Sequence, residues 1–404
     1  MRLLRLSVRD FRTHAARAFD LGPGVNLFHG PNGVGKTNVL EAVHYLALTK
    51  SFVASSDDVA IRVGAAQADV TGAFEGERRG AFKVRVVVAR GAKRVFIGSV
   101  PVPTLAEHVG RVPLVVMAPQ DYVLTSGPPD ERRRFLDNLL SQARPLYLGD
   151  RMRYARALKQ RTELLAAARS RRVALNADLL SAWTDELVSL GARVVHARAR
   201  ALADFHGYLD AAYERLGERV EKPSFTYDGP VEVEPGATLD DVSAALGARV
   251  AAALPRERET GRTLVGPHRD EVTFRLGQFE VRRYASQGQH RTFGIAVRLA
   301  QLLFLRDLTG EMPILLLDDL FGTLDSARTR VLTGLLTDGT VGQSLVTHPE
   351  RTDLAPLVAF GDDAPNRAFG LTRSAGDPAA EDVAAPLADS DEPEDETSEG
   401  EAPE

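Results

Sequence analysis

A glycine-rich segment near the start of the chain has the residue types and spacing of a phosphate-binding loop, G-x-x-x-x-G-K-[ST]. An apolar strand is predicted before it and an amphipathic helix after it. The glycines then let backbone N–H groups curl around phosphate oxygens at a helix N-terminus. The lysine is expected to reach the β- and γ-phosphates and the threonine to bind Mg²⁺. The residues of this predicted loop are Gly30, Pro31, Asn32, Gly33, Val34, Gly35, Lys36 and Thr37.

Two adjacent carboxylates follow a short apolar segment far along the chain. Residues 314–317 have the composition of a buried strand, and Asp318 and Asp319 stand at its end. A nucleotide site of this type needs a carboxylate to hold its metal, and we expect Asp318 to support Mg²⁺. Asp319 is suited to orient the attacking water or to act as a general base.

A third group of polar residues opens a long apolar helix. The sequence Ser286-Gln287-Gly288-Gln289 supplies a hydroxyl, a glycine and two amides at a helix start, which is a second N-terminus suited to an anion. It begins 32 residues before Asp318. The phosphate loop, this helix start and the Asp pair follow one another in the order used by ATP-binding-cassette ATPases.

Hydrophobic periodicity predicts the elements that position these residues. Strands are expected near both ends of the chain, and Ala-, Leu-, Arg- and Glu-rich helices fill its middle. Residues 225–240 read as a loop or weak hairpin, and residues 279–283 as a strand. We therefore predict one α/β domain built from residues 1–122 and 265–372, with a mostly helical lobe inserted at 123–264. Residues 373–404 are predicted to be a disordered acidic tail.

Composition excludes several classes of protein. The 404 residues contain no cysteine, so disulfides, zinc–thiolate sites and cysteine nucleophiles are excluded. No run approaches the ~18 apolar residues of a spanning helix, and the first residues lack the apolar core of a secretory signal, so a cytoplasmic protein is expected. The net charge is −5, but residues 377–404 hold 12 acidic and no basic residues, so residues 1–376 carry +7. Solvation at high salt, autoinhibition and partner binding are alternative roles for the tail.

With these segments in view, the chain resembles the RecF family, bacterial recombination-repair ATPases related to the SMC and Rad50 heads. The resemblance covers most of residues 1–365. The residues that carry it are GPNGVGKTN at 30–38, PPDERRRFLDN at 128–138, GPHRD at 266–270 and SQGQHRTFGIAVRL at 286–299. It implies an ABC-type P-loop ATPase head, a mixed sheet with flanking helices, that carries the inserted lobe.

The resemblance also implies roles for individual residues. Lys36, Thr37 and Asn38 belong to the ATP- and Mg²⁺-binding loop, Asp318 supports the metal, and Asp319 is the catalytic carboxylate. Ser286 and Gly288 belong to a signature that contacts the γ-phosphate on the opposite protomer. Asp325 matches the D-loop, His348 the switch-histidine position, and Gln120 the Q-loop position, where it contacts metal or water. For His348 and Gln120 an ordinary loop role is the alternative.

Two segments of the resemblance have several possible roles. GPHRD at 266–270 reads as a turn that joins the lobes and leads into a strand. The arginines at 132–134 lie early in a helix, where solvation, a contact between lobes or a DNA-phosphate contact all suit them.

The function implied by the resemblance is ATP-dependent DNA binding in gap repair. ATP is expected to join two protomers head to tail on duplex DNA near single-strand gaps, and slow, DNA-stimulated hydrolysis to release them. The implied partners are RecR with RecO, and RecA loading, replication restart and SOS induction are the outcomes. Alternatives are another SMC- or ABC-type head and a transporter's ATP-binding subunit. Against a transporter subunit, 250 positions separate Lys36 from Ser286.

Overall fold

The computed structural model describes residues 1–171, 175–217, 221–351, 358–361 and 364–372. The strands are β1 (Arg2–Phe11), β2 (His14–Asp20), β3 (Val25–His29), β4 (Gln67–Gly76), β5 (Gly80–Ala89), β6 (Ala92–Ile97), β7 (Val100–Pro101), β8 (Leu114–Met117), β9 (Pro223–Asp228), β10 (Glu271–Leu276), β11 (Phe279–Glu280), β12 (Ile314–Leu317), β13 (Ser344–His348) and β14 (Arg367–Gly370). The helices are α1 (Lys36–Leu48), α2 (Leu105–His108), α3 (Tyr122–Ser126), α4 (Pro129–Ala143), α5 (Pro145–Arg171), α6 (Ala177–Arg215), α7 (Leu239–Thr260), α8 (Val281–Tyr284), α9 (Gln287–Thr309) and α10 (Ser326–Thr337).

A parallel sheet of five strands lies at the centre, in the order β14-β3-β13-β12-β8. Every residue of β12 and β13 is buried, because helices cover both faces of the sheet. This is why these strands read as continuous apolar runs. Since all five strands run the same way, their carboxyl ends meet at one edge of the sheet.

A six-stranded antiparallel sheet packs beside it, in the order β2-β1-β4-β5-β6-β7. Its strands alternate buried and exposed residues, as expected where only one face meets the core. Helix α1 lies between the two sheets. Leu3 of β1, Val39 and Leu46 of α1, and Leu316 of β12 belong to one buried cluster. The helix that starts at the phosphate loop is therefore held from both sides.

The other face of the parallel sheet packs on α9. A second buried cluster joins α9 to α4, to the C-terminal half of α6 and to the small sheet β11-β10-β9. A third cluster, centred on α5, α6 and α7, forms the interior of the inserted region. Because α4 and part of α6 pack in the second cluster, the helical insertion shares a core with the head. The boundaries at 123 and 264 stay a prediction.

Three assignments from the sequence need correction. The loop or weak hairpin expected at 225–240 is wrong at its start, because β9 pairs with β10 along its whole length. Helix α7 was not expected. The strand expected at 279–283 ends at Glu280, and α8 follows. The acidic tail predicted at 373–404 lies outside the described residues.

Candidate nucleotide-binding site

The carboxyl edge of the parallel sheet collects residues that the sequence analysis singled out separately. The phosphate loop follows β3, Asp318 follows β12, and His348 ends β13. Strand β13 lies between the other two and pairs with both, with Thr347 opposite Phe28 and His348 opposite His29. The fold thus brings together three segments that are far apart in the chain.

The phosphate loop forms an open cradle at the start of α1. Gly33 has φ of +83°, and a Cβ placed there would meet nothing within 4 Å. Gly35 has φ of +98°, and a Cβ there would lie 2.6 Å from Thr13 Oγ1 and 2.8 Å from the His14 ring. Only glycine satisfies both the conformation and the space at position 35. No side chain caps the N-terminus of α1, so its first N–H groups are available to a phosphate.

Lys36 donates hydrogen bonds to oxygens of its own loop. Its Nζ lies 2.7 Å from the Gly30 carbonyl oxygen and 3.1 Å from that of Pro31. Burial lowers the pKa of Lys36, and the Asp319 and Asp318 carboxylates oppose that effect. Its partners in the loop are neutral carbonyls, and a phosphate would offer it a stronger, charged acceptor.

Thr37 and Asp318, which the sequence predicts to hold the metal, lie in hydrogen-bond contact. Thr37 Oγ1 and Thr347 Oγ1 both donate to Asp318 Oδ1, at 2.9 and 2.8 Å. Burial raises the pKa of Asp318, and these two hydrogen bonds oppose the shift. Hydroxyl and carboxylate oxygens are ligands that Mg²⁺ prefers, so this donor set fits the ion. Sequence reasoning missed Thr347, which it read only as the end of an apolar strand.

Asp319 points away from this buried cluster. It is exposed, with φ of +46°, while its N–H donates to Thr347 Oγ1 at 2.8 Å. A non-glycine residue in the left-handed region is uncommon and often marks a functional position. The turn directs one carboxylate inward and the next one outward. That arrangement suits separate roles in metal binding and catalysis.

The structure places the two less specific candidates at the same edge. His348 is buried, and the Glu350 N–H donates to its Nδ1 at 3.2 Å. Gln120 is exposed in the loop after β8 and lines a cavity of about 620 Å³ that also reaches the signature helix. Their roles at the nucleotide stay predictions.

The signature segment is built as a helix N-terminus. Ser286 is exposed, and its Oγ accepts the Gln289 N–H of α9 at 3.2 Å, in a capping box. Gly288 leaves open space beside it. The cavity behind this end of α9 is lined by residues of the segments 117–122, 287–295 and 320–324, and none of them belongs to the phosphate loop. This cavity therefore does not extend to the phosphate loop.

Polar contacts fasten α9 to the segments on either side of it. Arg298 binds Asp121 of the Q-loop segment at 2.7 Å. On the other side, Arg291 donates to the Thr323 carbonyl at 2.8 Å, just before the D-loop. Asp325 caps α10, and the Arg328 N–H bond it accepts lowers its pKa. The signature, Q-loop and D-loop thus form one connected unit. Sequence reasoning missed Arg291 and Arg298.

A buried charge network joins the inserted helices to the strand that follows GPHRD. Arg198 of α6 binds Asp137 of α4 at 2.8 Å and Asp270 at 2.6 Å, and donates to the Pro267 carbonyl. Burial raises the pKa of Asp270 to about 6, although Arg198 opposes it. These contacts favour the joining role considered for GPHRD. Similarly, buried Arg132 pairs with Glu271 at 2.7 Å.

Comparison with known proteins gives several matches. The sequence profile of the AAA domain matches residues 5–133. The DNA replication and repair protein RecF of Salinibacter ruber is 46% identical over 359 residues, which cover 89% of this chain and 87% of that protein. The protein of that name from Chloroherpeton thalassium is 38% identical over 88% of this chain and 97% of its own.

The structural comparison agrees with the sequence comparison. A solved structure of the recombination mediator protein RecF with ATP, from the RecFOR pathway, has a TM-score of 0.83 at 26% identity. The match covers 92% of this chain and 95% of that one. The predicted fold class, an ABC-type P-loop ATPase head, is confirmed. No helix in the described ranges combines the length and the apolar character needed to cross a bilayer.

Proposed function

The chain belongs to the RecF family of DNA replication and repair proteins, and we propose that it is an ATP-driven DNA-binding switch of gap repair. ATP binding brings two protomers together head to tail on duplex DNA beside a single-strand gap. Slow, DNA-stimulated hydrolysis then releases them. The resemblance drawn from the sequence motifs is confirmed at the level of the family.

One observation supports the formation of a dimer in this proposal. The signature serine is exposed, and the cavity at its end of α9 contains no residue of the phosphate loop, while that loop holds an open cradle. A signature that contacts phosphate must then serve a second copy of the chain. Two copies related by a two-fold axis complete both sites at once. Each nucleotide is then enclosed by the loop of one subunit and Ser286 of the partner subunit.

The residues of the loop divide the chemistry between them. The N–H groups of the loop and Lys36 bind the phosphates, and Thr37 with Asp318 would hold Mg²⁺. The ion, when bound, neutralises charge on the β- and γ-phosphates. Asp319 orients the attacking water, as its exposed carboxylate beside Lys36 allows. We propose that Gln120, which follows β8, contacts the metal or a water molecule. His348, at the end of β13, is proposed to contact the γ-phosphate.

In such a cycle, the property that matters for function is how long the dimer remains bound to DNA. Hydrolysis removes the γ-phosphate that both subunits contact, so the joined state loses its bridge. A slow rate suits a protein that must stay on a gap until other proteins arrive. The segments that contact the nucleotide are fastened to α9 through Arg298 and Arg291, which gives a route from the site to the dimer surface.

The family and the positive charge of residues 1–376 support a proposal for the ligand and the partners. Residues 1–376 carry a net +7, which favours phosphate contacts with little sequence preference. We propose that the protein works with RecR and RecO at junctions of single- and double-stranded DNA and assists RecA loading. Replication restart and SOS induction follow from that loading. We propose that it acts in the cytoplasm, in association with the nucleoid.

Sedimentation with Mg²⁺–ATP tests the composite site through Ser286. Ser286→Arg blocks the surface but also removes the cap of α9, so Ser286→Asp serves as a matched variant. Aspartate keeps a capping oxygen and puts a negative charge toward the γ-phosphate. We expect wild type to dimerise and both variants to bind ATP yet remain monomeric. Lys36→Ala should lose ATP binding itself. If either Ser286 variant dimerised over the same range of protein concentration as wild type, the proposal would be wrong.

A further inference from the structure

An exposed aromatic and basic patch lies directly before the signature serine. Phe279 is 53% exposed and Tyr284 is 67% exposed, and their rings contact each other with centroids 5.7 Å apart. Arg282 and Arg283 are exposed between them. We call these four residues the aromatic patch. The function proposed above does not use it.

The local fold presents the patch rigidly. Phe279 lies in the short β11 strand, which pairs with β10, and Arg275 of β10 donates to the Gln278 carbonyl in the connecting turn. Val281, the first residue of α8, is buried, and Arg283 pairs with Glu280 at 3.1 Å. The two rings are therefore fixed outward by a hairpin and a helical turn. Their exposure is a feature of folded structure and not of a loose loop.

Aromatic and arginine side chains together have the composition of an interface core. Tyrosine, phenylalanine and arginine are enriched where protein surfaces meet, and a few such anchors supply most of the binding energy. Single exposed apolar residues are ordinary, but two contacting rings beside a functional serine are not. Tyr284 is only two residues from Ser286. A protein surface that covers Ser286 therefore comes close to Tyr284 as well.

We propose that the aromatic patch is an anchor for a second copy of this chain in the ATP-bound dimer. The inference rests on the proposed function, because that function brings the partner's phosphate loop to Ser286. It adds a contact that no motif assigns: the rings pack beside the partner's nucleotide site. The patch and the signature then form one continuous surface.

The charge of the aromatic patch supports a second copy of this chain as its binding partner. Arg282 has no ion pair within the described part of the chain, and the patch carries a net positive charge after Arg283 pairs with Glu280. A phosphate loop loaded with triphosphate is strongly negative. The partner's Pro31 and Gly33 are exposed on that loop, where the rings can contact them. Stacking on single-stranded bases is the competing use of such a patch, and the test separates the two.

The test compares the double variant Phe279→Ala/Tyr284→Ala with wild type by sedimentation in Mg²⁺–ATP. Binding of a fluorescent ATP analogue to the monomer checks the cradle in the same samples. Leu146→Ala, which removes an exposed side chain on α5, is the matched control. We expect the double variant to bind nucleotide normally and to raise the dimer dissociation constant at least tenfold. Tyr284→Phe should restore most of the loss in the Tyr284→Ala single variant.

Each other outcome has a distinct meaning. If wild type dimerises and the double variant dimerises equally well, the inference is wrong while the proposed function stands. If the double variant dimerises normally but no longer binds a single-stranded oligonucleotide, the patch belongs to DNA and the inference is again wrong. A wild type that stays monomeric with Mg²⁺–ATP would overturn both.

Discussion

Asp318, the proposed metal ligand, is buried and accepts hydrogen bonds from two hydroxyl groups. Thr37 and Thr347 both donate to its Oδ1, and burial raises its pKa against them. Thr347 has a second task, because it also accepts the N–H of Asp319. One side chain therefore sets the position of both carboxylates.

Thr347→Val tests this link with almost no change in side-chain volume. We expect the Mg²⁺ concentration needed for half-maximal ATPase activity to rise about tenfold, since a hydrogen bond to a charged group is lost. ATP turnover at saturating Mg²⁺ should also fall, because the Asp319 backbone loses its acceptor. Activity titrated with Mg²⁺ measures both effects.

Thr333→Val is the control for that substitution. Thr333 is also buried, but its hydroxyl donates to a carbonyl within α10. Its ATPase should match wild type at every Mg²⁺ concentration. An unchanged Mg²⁺ requirement in Thr347→Val would show that Thr347 does not position the carboxylates.

The sequence predicts the local half of this site well. The phosphate loop and the Asp pair are recognisable because spacing within one short segment fixes their geometry. Thr347 and Arg298 were missed because their partners are distant, 29 and 177 positions away respectively. Such contacts depend on which strands and helices become neighbours in the fold. The hydrophobic periodicity of the sequence does not reveal which elements become neighbours.

At the scale of elements, the segments with strong apolar patterns were predictable from the sequence, and the segments with weak patterns were not. The strand at 314–317 is a continuous apolar run that is fully buried, and the helix at 287–309 has a strong apolar periodicity and a buried face. Helix α7 buries only a few side chains and contains Pro255, so its pattern is weak. In the small sheet, β9 was missed because its polar sequence gains a strand partner only from residues 271–276.

The joint between α4, α6 and β10 yields a prediction about stability. Arg198→Met keeps an unbranched, flexible side chain but removes the guanidinium, which leaves Asp270 and Asp137 without their shared cation. We expect a destabilisation of about 3–5 kcal/mol at pH 8, as for other buried pairs broken from one side. Thermal or urea unfolding followed by circular dichroism measures it.

The same variant should show a dependence on pH. Burial already raises the pKa of Asp270 to about 6, and loss of Arg198 removes an effect that lowers it. The penalty comes from the ionised carboxylate, so it is present above that pKa and is relieved as pH falls through it. The difference from wild type should therefore be smaller at pH 5 than at pH 8. Arg193→Met, which breaks an exposed pair with Asp150, should change stability little at either pH.

For the whole molecule, charge is divided unevenly along the chain. Deleting residues 377–404 changes the net charge from −5 to +7. We expect the truncated protein to keep its ATPase activity and to bind duplex DNA about two- to fivefold more tightly at low salt, because long-range repulsion of phosphate is removed. Fluorescence anisotropy of a labelled duplex measures the change.

A tail of equal length in which the 12 acidic residues are replaced by Asn and Gln is the matched control. It should bind DNA like the truncated protein if charge is responsible. Unchanged or weaker binding by both proteins would exclude inhibition by the tail and favour a solvating role.

The central claim is that ATP closes a dimer on DNA through the signature serine. The most direct measurement is the anisotropy of a labelled gapped duplex, titrated with wild type and Ser286→Asp, with and without Mg²⁺–ATP, at two salt concentrations. We predict binding that requires ATP, weakens steeply with salt and is lost in the variant. Binding that is equal with and without ATP, or equal in the variant, would contradict the account.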